Sequence, residues 1–380
     1  MGPLRSVKII ELAGLGAAPF AGMVFSDLGA EVILVESPRG SMFPVDPKLD
    51  FANRGKKRIS IDLKSADGVA ALMKLVAGAD GLMEGFRPGV TERLGIGPEA
   101  CLMVNPKLIY GRMTGWGQQG PLSKAAGHDI NYIALSGALN AMARKGEKPT
   151  PPLNMLGDYA GGGMVMVYGM LSAIIDARFN GAGQVIDTAM LDGAATLMGP
   201  ISGGVRGNNL LFGAIPGDNV LDTGSHFYDT YRTADGKYMA VGSMEPQFYA
   251  LLLEGLGLDA NELPDQMDKS KWPAMKEQFT QLFLSKTRAQ WCEIFDGTDA
   301  CVSPVLSEAE AMDHPHNKAR GTFTDIDGVY QHQAAPRFDR TPTAATVAAC
   351  KQGQHTTEIL VSLGYSHEEI DKLIEAKSVA

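Results

Sequence analysis

Apolar residues near the start of the chain fall in short unbroken runs divided by glycine turns. Residues 7–12 form the first run, and 13–19 hold a turn with Gly14, Gly16 and Pro19. Residues 20–28 then carry apolar side chains at helical spacing, closed by Gly29. A β-branched run at 31–36 predicts the next strand. The alternation continues with strands at 58–63, 81–84 and 108–114 and a helix at 68–77. A long buried helix is predicted over 159–176, followed by an Asn180-Gly181-Ala182-Gly183 turn and a strand at 184–188. Unbroken apolar strands alternating with helices are buried on both faces, which implies an α/β fold with a mostly parallel, Rossmann-like sheet.

The pattern changes further along. Gly, Asn and Pro crowd 203–224, and 227–241 reads as a hairpin turning at Ala234-Asp235-Gly236. Amphipathic helical stretches run on to about residue 295, so this part reads as a smaller α+β domain. An irregular stretch at 320–343 leads to a polar last helix near 356–376. The expected division is a large domain over 1–200, a linker over 201–225 and a small domain over 226–320. A return segment over 321–380 ends in a helix packed on the large domain.

At 380 residues the chain exceeds one simple core, in keeping with two domains. Its formal charge of −9 argues against nucleic acid as a partner. An anionic ligand would need locally concentrated cations. The four cysteines show no paired spacing, which favours a reducing compartment. No secretory signal is legible, and the apolar part of 161–175 falls short of the roughly 20 residues a membrane span needs. The closing Ser378-Val379-Ala380 is not a Ser-Lys-Leu address. A soluble, cytoplasmic protein without membrane association is expected.

Several motifs carry candidate chemistry. The first glycine turn resembles a dinucleotide fingerprint, with Glu36 where a ribose-binding acid would sit. Pro19 replaces the glycine that lets helix and strand pack closely, so a tight turn is favoured over NAD binding. Cations gather in loops flanking strands: 53–58, Lys64, Arg87 and Arg93. On an acidic protein such loops suggest a phosphate-bearing ligand, for Lys64, Arg87 and Arg93 above all. His128 precedes a helical segment at 130–143, where the positive end of the dipole favours neutral imidazole. Asp158 precedes the long helix as a candidate N-cap, and three glycines follow at 161–163. Glycines there cost about 1 kcal/mol each against alanine, which suits a close approach to that backbone. The helix start also offers N–H groups to a developing oxyanion. His314-Pro315-His316 lacks further ligands and reads as a surface turn, and no metal site is expected.

Taken in order, these segments resemble the family III coenzyme A transferases and, within that family, its racemases of 2-methylacyl-CoA thioesters. The resemblance runs through most of the chain, in 7–12, 84–90, 112–118, Gly127-His128-Asp129-Ile130-Asn131-Tyr132, 152–158, 245–249 and 299–305. It implies a two-base 1,1-proton transfer through an enolate, with His128 and Asp158 on opposite faces of the α-carbon. It further implies Glu245 as the partner that orients His128, supplied by the second subunit, with Asp129 supporting the network. An interlocked homodimer with shared active sites follows from the same resemblance, with the acyl-CoA substrate and its coenzyme A moiety but no other cofactor. Arg39, Lys64, Arg87 and Arg93 are the candidate coenzyme A contacts. Ser37 stands where relatives often carry arginine, so Arg39 is the possible replacement. Leu15, Gly16, Tyr228 and Met244 are candidate acyl-pocket residues. The alternative is a transferase in which Asp158 attacks the thioester as a nucleophile.

Overall fold

The computed structural model describes residues 2–40, 45–343 and 347–380. The expected large domain and return segment each include residues outside this description, 41–44 and 344–346. The chain divides into two compact units. One comprises Met1–Ser136, Pro152–Thr196 and His314–Ala380; the other comprises Gly137–Pro151 and Leu197–Asp313.

The first unit is built on a six-stranded parallel sheet. Its strands are β1 (Lys8–Leu12), β2 (Glu31–Glu36), β3 (Lys57–Ser60), β4 (Gly81–Glu84), β5 (Ile109–Thr114) and β6 (Gln184–Ala189), in the order β3-β2-β1-β4-β5-β6. Successive residues point to opposite faces. Ile10, Leu12, Ile33 and Val35 pack one face against helix α2 (Ala66–Ala77) and the closing helices Thr356–Ser362 and His367–Glu375. Ile9, Val32, Met83 and Ile109 pack the other against helix α1 (Ala17–Asp27) and the helix Val165–Asn180. The last polar helix is thus two helices, parted at Gly364 with φ 84°. The irregular 320–343 stretch contains a hairpin, Phe323–Ile326 against Val329–His332.

Helix α1 starts at Ala17, three residues before the predicted start. Pro19 sits in its first turn, where no intrahelical N–H is lost. The long helix also starts early. Residues Met155–Met164 wind in wide π-helical turns that continue into Val165–Asn180. At 26 residues the combined segment is long and apolar enough to cross a membrane, contrary to the sequence estimate. One face, with Met166, Met170, Ile174 and Ala177, lies buried on the sheet. The expectation of a wholly buried helix fails on the other face, where Tyr168, Ile175 and Phe179 are exposed.

The second unit holds the hairpin Tyr228–Arg232 and Tyr238–Gly242 with a third antiparallel strand, Val302–Pro304. Trp272, Phe279, Phe283 and Trp291 pack beneath it. The crowded 203–224 region includes the end of a helix, Gly199–Gly207. Gly137–Pro151 also clusters with this unit, although the sequence division ran the first domain unbroken to residue 200. Within the unit, Arg144 pairs with Asp229 at 2.8 Å and Lys145 with Asp218 at 2.6 Å. Those partners lie far along the chain, so local pattern could not assign the excursion.

Candidate active site

Strand order reverses between β1 and β4. In open parallel sheets ligands bind in the crevice at such a switch point, beyond the carboxyl ends of the strands. The loops there are 13–16, with Leu15 and Gly16, and 85–89, with Arg87. Leu15 is exposed, and Gly16 adopts φ 65° as it leads into α1. A Cβ on Gly16 would stand 2.8 Å from Oδ2 of Asp158. Gly16 is therefore the immediate neighbour of the acid, and its missing side chain makes room for that carboxylate.

Asp158 does not cap the helix as expected from sequence. It lies inside the wide first turns, and its backbone N–H donates to Oδ2 of Asp129 at 2.7 Å. Tyr159 N–H donates back to the carbonyl of Asn154. These two N–H groups are occupied, so the oxyanion role expected of this helix start is not open to them. The Asp158 side chain accepts from Asn154 Nδ2 at 3.1 Å. Burial raises its pKa above the ordinary aspartate value, the Asn154 hydrogen bond opposes the rise, Asp129 adds to it, and His128 opposes it.

His128 is exposed and immediately precedes helix α5 (Asp129–Leu135), with its N–H donating to Oδ1 of Asn131 at 3.0 Å. Asp129 is buried beside it. Tyr132 seals this end of the site. Its hydroxyl donates to the carbonyl of Gly127, and its ring meets Trp116 edge-on with centroids 4.8 Å apart. Burial raises the Tyr132 hydroxyl pKa, Asp158 and Asp129 raise it further, and Arg87 opposes them.

The glycines at 161–163 admit other parts of the protein, not a ligand. A Cβ on Gly161 would meet Ala194 N at 2.8 Å, and one on Gly163 would meet the Phe20 ring at 2.5 Å. They let the helix Met190–Leu197 and α1 pack against this backbone.

The basic stretch 53–58 is structural. Arg54 pairs with Asp27, Lys56 with Glu11 at 2.6 Å, and Arg58 with Glu36, all buried. Glu36 is thereby committed to Arg58. Lys57 is spread between Glu31 and Glu358 at the surface. The other cations differ. Arg39, Lys64, Arg87 and Arg93 are exposed, and among the described residues none has a carboxylate partner. Lys64 and Arg93 line one shallow depression of about 490 Å³ with Leu63, Ser65, Ala66, Val69 and Leu94. Arg87 lies in the loop that follows β4, and its charge opposes the rise of the Tyr132 hydroxyl pKa. Arg39 follows β2, its N–H donating to Ser37 Oγ at 3.3 Å.

Glu245, Tyr228 and Met244 lie in the second unit. Glu245 is exposed just before the helix Pro246–Leu256, where its charge acts on the Cys301 thiol. Met244 precedes it, and the half-buried Tyr228 borders Gly242. His314 precedes the helix Pro315–Arg320. Asn154 was missed from sequence, although four residues separate it from Asp158, the spacing of neighbours on a helix face. Glu84, Arg112 and Glu92 were missed because their ion pairs join separate elements.

The family model of CoA-transferase family III matches residues 4–356. The chain is 47% identical to alpha-methylacyl-CoA racemase of Mus musculus, over 98% of each protein. It is 46% identical to the Homo sapiens enzyme of that name, over 99% of this chain and 98% of that one. Among solved structures, a CAIB/BAIF family protein from Brucella suis superposes with a TM-score of 0.82 at 25% identity, covering 95% of this chain and 99% of that one.

Proposed function

The chain belongs to CoA-transferase family III, and from that membership we propose that it interconverts the (2R) and (2S) epimers of 2-methylacyl-CoA thioesters. The observation that carries the reading is the hydrogen bond from the Asp158 N–H to Asp129 Oδ2 at 2.7 Å, which joins the half-buried carboxylate of Asp158 to the segment that bears the exposed imidazole of His128. One group removes the C2 proton, and the electron pair moves onto the thioester oxygen as an enolate. The other group, starting protonated, delivers its proton to the opposite face. A raised Asp158 pKa suits it to carry a proton in one direction and accept one in the other.

Four exposed cations without carboxylate partners among the described residues support coenzyme A recognition by Arg39, Lys64, Arg87 and Arg93. Gly16 borders Asp158, so it and the preceding Leu15 would meet the acyl chain near C2; Tyr228 and Met244 are further candidates for acyl contact. The reading needs no metal and no nicotinamide. It includes an interlocked homodimer in which Glu245 of the partner subunit orients His128. The exposed Tyr168, Ile175 and Phe179 support a covering surface of that kind. A cytoplasmic setting, without membrane or nucleic acid, completes it.

Incubating one epimer of a 2-methylacyl-CoA in deuterated water tests the proposal. Loss of chirality with label at C2, and no acceptor acid present, is the expected result. Acyl exchange that requires an added carboxylic acid would overturn it in favour of a transferase with Asp158 as nucleophile.

A further inference from the structure

The loop 85–89 carries Arg87, and helix α3 (Val90–Arg93) carries Arg93. Both ends of this segment are held by one side chain outside it. Arg112 leaves the sheet on β5, directly beside Glu84 of β4 in register. Its Nε donates to Glu84 Oε1 at 3.1 Å, before the loop. Its Nη1 and Nη2 donate to Glu92 Oε1 and Oε2 at 2.8 and 3.3 Å, after it. Glu84 uses its second oxygen to accept the N–H of Phe86 at 2.6 Å, which pins the first turn of the loop. The Arg112 side chain is 10% exposed and that of Glu84 fully buried, so the bonds made by Glu84 are sheltered from water, whereas Glu92 reaches Arg112 from the surface.

The arrangement has two consequences. The planar fork spans two carboxylates at a fixed separation, which a lysine cannot do. It also commits Glu92, the residue before Arg93, to Arg112. Arg87 and Arg93 are left without carboxylate partners among the described residues. The guanidinium of Arg93 lies back against Gly89, where an added Cβ would be 3.4 Å from Nη1.

We propose that Arg112 is a positioning residue for coenzyme A: by clamping Glu84 and Glu92 it holds Arg87 and Arg93 in place for the phosphate groups. The proposal rests on the assignment of those two arginines to coenzyme A. Arg112 touches neither substrate nor reacting atoms. Its contribution is preorganisation, which lowers the cost of ordering the loop on binding.

The test compares an acyl-CoA with the corresponding acyl-pantetheine thioester, which lacks the nucleotide phosphates. Arg112→Lys keeps the charge and loses the fork. It is expected to raise KM for acyl-CoA about tenfold, leaving kcat and the acyl-pantetheine KM within about twofold of the parent. Should Arg112→Lys fail to fold, Glu92→Ala decides, since that side chain is 46% exposed. Loss of an acid beside Arg93 would by simple electrostatics lower KM, whereas loss of the clamp raises it. A KM that is unchanged, falls, or rises equally for both thioesters overturns the proposal. Arg87→Ala separates the two layers. If it fails to discriminate between the thioesters, the coenzyme assignment falls and the clamp with it. If it discriminates and Arg112→Lys does not, the positioning role alone is wrong.

Discussion

Asp129 accepts the backbone N–H of Asp158 at 2.7 Å, so the residue next to the histidine holds the acid in place. Asn154 holds the same acid from its other side through Oδ2. The bond from Asp129 therefore ties α5 to the wide first turns of the long helix, and the residues around the two proposed proton carriers can be tested one at a time.

Gly16→Ala would place a methyl 2.8 Å from Oδ2 of Asp158 at a positive φ. With ψ −110° the position lies in the mirror-β region that glycine alone adopts readily, so the backbone strain is on the order of 1–3 kcal/mol. Displacing the carboxylate is expected to lower kcat by about 10²-fold. Turnover measured with a melting curve checks this: a large loss of kcat with a modest fall in Tm is the expected pairing.

His128→Asn and Asp158→Asn should each abolish racemisation yet retain proton exchange on one epimer, and on opposite epimers. The remaining base can still remove and return a proton on its own face. Proton NMR of each pure epimer in deuterated water reads the outcome. Exchange of both epimers by either single variant would contradict a two-base arrangement.

Asn154→Ala removes the hydrogen bond that favours ionised Asp158, so the carboxyl pKa should rise further above its ordinary range. The limb of the kcat/KM profile that reports Asp158 as base should move to higher pH, in the reaction direction where it takes the proton. The opposite direction, which needs the acid protonated, should extend its active range upward. Paired pH profiles for the two epimers measure both shifts.

Glu84 is pushed up to about 7 from an ordinary 4.5 by burial, against the Phe86 N–H and Arg112 that favour its charge, while Glu92 adds to the rise. Arg112 and Tyr110 on β5 and Glu92 on α3 are the titratable groups around it. Because the folded pKa exceeds the unfolded one, the linked stability is full below about 4.5 and is lost as pH rises through about 7. Wild-type Tm should therefore carry a downward slope over that window which Glu84→Gln lacks. Coenzyme affinity runs the other way. The clamp needs ionised Glu84, so KM for acyl-CoA should fall from pH 6 to pH 8 by up to about tenfold, and Glu84→Gln should flatten that change.

Lys56→Met would strand Glu11 beneath α1 with no counter-charge, since both side chains are fully buried. Burial already raises Glu11 and lowers Lys56 against their mutual attraction. Breaking such a pair costs about 3–5 kcal/mol, whereas replacing both members with apolar groups is often neutral. Chemical denaturation of Lys56→Met and of Lys56→Met with Glu11→Leu should show a large loss for the single variant and recovery in the double.

Much of the fold was legible from local pattern. The strands at 31–36 and 81–84 agree with the structure to the residue, because parallel strands buried on both faces leave an unbroken apolar run. His128 and Asp158 stood out through their motifs, and the racemase resemblance depended on the histidine. What the sequence could not reveal was which charges are already committed. Arg54, Lys56 and Arg58 resembled a phosphate site, yet Asp27, Glu11 and Glu36 neutralise them from distant positions. Among the described residues Arg87 and Arg93 have no carboxylate partner, while Arg112, from another strand, takes up Glu84 and Glu92. The turn at Asp158 likewise read as a helix cap until Asp129 and Asn154 were seen to hold it. Periodicity and turn chemistry act between neighbours and are written along the chain. Ion pairs and close approaches act between segments, so the tertiary structure alone decided which cations remain for a ligand and where the acid stands.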